Sequence, residues 1–118
     1  IQAYQGTCMS TTDAGRKAED LVAGKLQELG HHIIEQNWRT RWCEIDVVST
    51  HKNCVYFTEV KFRSSSSWGS GLEYVTDKKL RQMNFAAEFW MSQNGWTGDA
   101  CLQAAEVDAG GEITIVEI

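Results

Sequence analysis

Asp46, Glu59 and Lys61 are the residues of this sequence best suited by type and spacing to do chemistry. They lie in two runs rich in β-branched and aromatic residues, 44–50 and 55–63, separated by the polar His51-Lys52-Asn53, the pattern of a β-hairpin. A two-residue loop at Lys52-Asn53, with Asn53 supplying a positive φ, sets His51 opposite Cys54 and hence Asp46 opposite Glu59. Residues two apart share a face. One face therefore carries Ile45, Val47, Tyr56, Val60 and Phe62, and the other carries Glu44, Asp46, Glu59 and Lys61 beyond Val48, Val55 and Phe57. Four ionisable groups on one patch of an apolar hairpin are costly unless they are paired or hold a cation. Two carboxylates on neighbouring strands suit Mg²⁺, or Mn²⁺ in its place, and a hard ion so held promotes hydrolysis of phosphodiesters. A lysine two residues after the second acid shares its face and can orient water or offset negative charge in the transition state.

The elements that must position this set read as follows. Ser10-Thr11-Thr12-Asp13 is a cluster of N-cap residues, after which Ala14, Ala18, Leu21, Val22, Leu26 and Leu29 repeat at helical spacing up to Gly30. Glu19 falls on the margin of that stripe, where it can reach a neighbouring sheet, the alternative being an ordinary solvated glutamate. Residues 31–39 form a strand. His31 and His32 read as surface residues, and His51 sits in the hairpin turn away from Asp46, so none of the three is placed to act as a general base. The serine- and glycine-rich segment 64–71 reads as a loop whose Trp68 either stacks on an unpaired base or anchors a plain connector. Thr76 and Asp77 cap a second helix that runs to Asn94-Gly95, with Lys78, Lys79 and Arg81 in its first turns, either an anion site or a solvated basic turn. Leu80, Met83, Ala87, Trp90 and Met91 make one apolar stripe, and Phe85 and Phe89 lie nearly opposite, which suggests a homodimer contact or burial beneath the Trp68 loop or the last strands. Residues 100–107 and 112–118 read as a closing pair of strands around Asp108-Ala109-Gly110-Gly111.

At 118 residues the chain is one domain, read as an N-terminal arm over 1–12, with an expression tag as one origin, and a single domain over 13–118. No apolar run is long enough to span a membrane and no signal-like start appears, so a cytoplasmic protein is expected. Four scattered cysteines without C-x-x-C spacing point to reduced thiols and not to zinc or a disulfide framework. A net charge of −5 argues against indiscriminate coating of nucleic acid, although Arg39, Arg41, Lys61, Arg63, Lys78, Lys79 and Arg81 cluster near the acids as a local basic rim. Phosphate-loop, dinucleotide, H-E-x-x-H and serine-elbow motifs are absent.

Glu19 with Leu26 and Gly30, Asn37-Trp38-Arg39, Glu44-Ile45-Asp46, Phe57-Thr58-Glu59-Val60-Lys61-Phe62-Arg63, Gly69 or Gly71, and Lys78 with Ala86-Ala87 form an ordered series. In that series the chain resembles the YraN-like (UPF0102) family of the PD-(D/E)XK, restriction-endonuclease-like superfamily. Cys43 stands where the family usually has glycine, Ile45 replaces the superfamily's proline, and the final segment matches only loosely. The resemblance implies an α/β fold with a restriction-endonuclease-like core, a central mixed β-sheet flanked by helices, and Mg²⁺-dependent cleavage of nucleic acid, with DNA, branched or single-stranded DNA included, favoured over RNA. It implies Asp46 and Glu59 as metal ligands with Glu19 assisting, and Lys61 as the catalytic amine. Glu44 reads as a supporting acid outside direct ligation, paired with Arg63 or Lys61. Arg39, Arg63, Trp68 and Lys78 read as the nucleic-acid contacts. Two rival readings stay open: a nuclease-like domain that binds nucleic acid or protein without cutting, and an RNA-cleaving toxin-type nuclease.

Overall fold

The computed structural model describes residues 10–63 and 75–118. The elements follow the order α1 (Ser10–Glu28), β1 (His32–Arg39), β2 (Glu44–His51), β3 (Cys54–Phe62), α2 (Asp77–Asn94), β4 (Asp99–Val107) and β5 (Ile113–Glu117). The five strands form one sheet in sequence order, antiparallel throughout except where β3 pairs parallel with β4 after the α2 crossover. This is the mixed sheet with flanking helices that the sequence implied. The first helix starts at Ser10, inside the cluster expected to cap it and before the expected domain start at residue 13.

The helices cover opposite faces, because successive strand residues point to opposite sides. Ala18, Val22 and Leu26 of α1, spaced at i, i+4 and i+8, pack on Val47, Ala105 and Val107. Ala86, Ala87 and Trp90 of α2 pack on Val48, Val55 and Phe57. Leu21 and Leu29, expected in the α1 stripe, are 46% and 54% exposed, so the buried stripe is narrower than the sequence suggests. The first helix ends where Gly30 takes φ 99° and the His31 N–H donates to the Leu26 carbonyl at 2.9 Å. Thr76 caps α2 as expected, its hydroxyl accepting from the Lys79 N–H at 3.2 Å.

The β2–β3 hairpin has the expected register, His51 opposite Cys54 through to Val47 opposite Thr58. Both loop residues take positive φ, Lys52 at 51° and Asn53 at 65°, as a type I′ turn demands. His31 is not the surface residue expected. It is half-buried, stacks on His51 with ring centroids 4.8 Å apart, lies against Tyr56, and its Nδ1 is 2.9 Å from the Ser49 hydroxyl. Burial and the neighbouring His51 lower its pKa. Cys43, Cys54 and Cys101 are free thiols.

Candidate functional site

The β2–β3 ladder stops at Val47–Thr58, and Asp46 is the next residue on β2. Had the pairing continued, the Val60 N–H would meet the carbonyl of Ile45. Instead it donates to the Asp46 carboxylate at 2.8 Å. The strands therefore part at Asp46, and its side chain fills the opening. Across β2 the pairs Gln36–Val47 and Trp38–Ile45 bracket Asn37, which lies opposite Asp46 with a left-handed φ of 58°. The same irregularity breaks the alternation. Ile45 packs with Val48, Phe57 and the α2 residues, not on the face of Val47 where the sequence placed it. Earlier in β1 the register shifts between Ile33 and Glu35, which leaves Ile34 exposed.

Asp46 interacts with two other acids at this opening, Glu59 and Glu19. Burial, then the Glu59 charge, raises the Asp46 pKa from 3.8 to about 6, against the opposing hydrogen bond from Val60. Glu19 reaches over from α1 to hydrogen-bond Asp46, and its pKa rises from 4.5 to about 8 through burial and then the Asp46 charge, with Arg16 pulling the other way. Asp20, one residue on, accepts from Gln36 Nε2 at 2.9 Å and ties α1 to β1. The margin position read from the helix periodicity thus brings Glu19 to the sheet.

Glu59 lies on the α2 side and is held by the Lys79 ammonium at 2.9 Å. With Lys79 it lines a cleft of about 750 Å³, shared with Arg39, Glu44, Lys78, Arg81 and Phe85 among others. Lys61, exposed and two residues after Glu59 on β3, projects from the same side of the sheet. Among the described residues no three carboxylate, imidazole or thiolate side chains enclose an ion as they stand, since Glu59 is drawn to Lys79 while Asp46 is bonded to Val60 and Glu19. The donor chemistry nonetheless fits a hard divalent cation: carboxylate oxygens, with the proton affinity of Asp46 and Glu19 raised by burial first and then by a neighbouring carboxylate charge that a cation would offset.

Other expectations change. Glu44 pairs with Arg39 at 3.4 Å, both exposed, and not with Arg63 or Lys61. The Arg63 guanidinium donates to Glu106 of β4 at 2.9 Å, a half-buried pair that gives it a structural role where a nucleic-acid contact was expected. Lys78 is exposed on the cleft, as a phosphate contact requires. Trp68 lies outside the described residues. Among the described residues Phe89 packs against Trp38, Trp42 and Phe85, and none of these contacts comes from the last strands. Sequence reasoning gave no individual role to Lys79, although it precedes the buried Met83 by four residues and so had to face the sheet. It also passed over Glu106, which the alternation of β4 could have flagged as a charge among buried residues.

Fold and site together define an α/β domain with a carboxylate cluster where two central strands part. The chain belongs to the uncharacterised protein family UPF0102, whose profile it matches over residues 18–116. It is similar to UPF0102 proteins of Magnetococcus marinus (35% identical over 74% of this chain and 71% of that protein). The corresponding values are 37% over 78% and 76% for one from Pseudomonas savastanoi pv. phaseolicola. For one from Cytophaga hutchinsonii they are 36% over 76% and 80%.

Proposed function

We propose that the protein is a metal-dependent nuclease that hydrolyses phosphodiester bonds of DNA, with Asp46, Glu59 and Glu19 as the oxygen donors for Mg²⁺ or Mn²⁺ and Lys61 as the catalytic amine. The observation that carries the reading is the carboxylate of Asp46 set into the parting of β2 and β3, beside Glu59 and hydrogen-bonded to Glu19. A divalent ion, when bound, supplies Lewis acidity that offsets phosphate charge and makes water acidic enough to attack. The chain's own residues do the rest. Val60 fixes the Asp46 carboxylate through its N–H. Glu19, protonated near neutral pH when no cation is present, can give up its proton as positive charge enters the site. Lys61 brings a positive charge to the face of Glu59, where it can orient a water or meet charge developing on the phosphate. Arg39 and Lys78 on the cleft walls hold flanking phosphates.

One observation favours a second reading, binding without cleavage: Lys79 already neutralises Glu59. Cleavage assays on single-stranded, duplex and branched DNA and on RNA, with Mg²⁺, Mn²⁺ or chelator, separate the two. Metal-dependent cleavage lost in both Asp46→Asn and Lys61→Ala supports the nuclease. Tight binding with no cleavage under any condition supports the second reading, and cleavage that survives both substitutions comes from a contaminant.

A further inference from the structure

Trp42 is 65% exposed and Phe85 51% exposed, yet both line the cleft that contains Glu59. Neither ring is loose. Phe89 stands between them, 5.8 Å from Trp42 and 6.0 Å from Phe85, and is itself backed by Trp38 at 6.1 Å. The Arg41 guanidinium lies over the Trp42 ring, 5.4 Å from its centroid. Large aromatic faces held open to water beside a candidate hydrolytic site are costly unless something flat and apolar covers them.

We propose that Trp42 and Phe85 form a stacking platform for unpaired bases, so that the domain selects single-stranded or branched segments over continuous duplex. This rests on the reading of the cleft as a nucleic-acid site. A strand in which bases are free offers π-faces to the rings and phosphates to cations, and the cations are present: Arg39 and Arg81 line the same cleft. A continuous duplex hides its base faces in the stack and offers the rings nothing comparable. A second copy of the chain is the rival occupant, but a two-fold contact through this patch would bring Arg39, Arg41 and Arg81 toward their own copies.

The test is binding in chelator, where no cleavage intervenes, followed by fluorescence anisotropy. The probes are a labelled oligothymidylate, the same strand with abasic sites, and a blunt duplex. Trp42→Ala and Phe85→Ala are each expected to weaken oligothymidylate binding about 5-fold or more, the scale of one lost base stack, and duplex binding by no more than about 2-fold. Neither should change binding of the abasic strand, and Trp42→Phe should retain most of the affinity. Equal losses on all three probes, or none on any, overturn the platform. So does a dimer in light scattering that Phe85→Ala converts to monomer while oligothymidylate binding stays intact. Cleavage by wild type and Asp46→Asn is scored separately. Metal-dependent cleavage without a Trp42-dependent preference defeats the platform and leaves the nuclease reading standing, whereas the preference without cleavage does the reverse.

Discussion

Replacing Asp46 with asparagine should make the metal-free protein more stable at alkaline pH, because the carboxylate is held where its charge is unwelcome. Asparagine retains an oxygen to accept the Val60 N–H and removes the charge that Glu59 and burial oppose. The rise of the Asp46 pKa from 3.8 to about 6 corresponds to about 3 kcal/mol of destabilisation once the group is ionised in the folded state. The sign follows from proton binding. The folded protein holds this proton more tightly than the unfolded chain, so the penalty is absent below pH 3.8, grows as pH rises, and is complete above about pH 6. Glu19 shifts in the same direction and extends the loss of stability toward about pH 8, and removing the Asp46 charge relieves it in part. Urea denaturation in chelator should therefore show Asp46→Asn and wild type unfolding at similar midpoints near pH 4. At pH 8.5 the variant midpoint should be higher by roughly 1–3 M, given m-values of about 1–3 kcal/mol/M. Saturating Mg²⁺ should raise the wild-type midpoint and leave the variant where it was. A variant no more stable than wild type at pH 8.5, or one whose gain is equal at both pH values, would refute the claim that Asp46 carries a pH-dependent burial penalty.

Three further outcomes follow from named contacts. Lys79→Ala removes the ammonium that competes for Glu59, so Mn²⁺ should bind more tightly by calorimetry, and an unchanged affinity would mean that Glu59 is not a ligand. Arg63→Ala leaves Glu106 buried without its 2.9 Å partner and should cost about 3 kcal/mol in urea unfolding at pH 8. Trp90→Phe loses the 3.0 Å donation from its indole N–H to Glu35 and should destabilise the protein by about 1–3 kcal/mol, read from the same unfolding curves.

What could be read from the sequence was whatever repeats locally. The period-two runs and the Asn53 turn gave the hairpin, its register and the nearness of Asp46 to Glu59, and the helical period put Glu19 at the edge of the buried stripe. Thr76 gave the start of α2 through its capping hydroxyl. What escaped depends on departures from those periods or on distant partners. The left-handed Asn37 opposite Asp46 is not written in the alternation of β2, yet Ile45 changes faces beside it. His31 looked solvent-facing until Ser49, His51 and Tyr56 were brought to it. Arg63 looked available to a phosphate because its partner, Glu106, lies 43 residues away.

The proposed nuclease activity depends on Asp46, Glu59 and Glu19 acting together as a grip for a divalent cation. Titration of the metal-free protein with Mn²⁺ at pH 8, followed by the electron paramagnetic resonance signal of the free ion, tests this directly. Saturable binding in wild type that is lost in Asp46→Asn and weakened in Glu19→Gln is the predicted result. Binding equal in wild type and Asp46→Asn, or no binding by wild type, would contradict it.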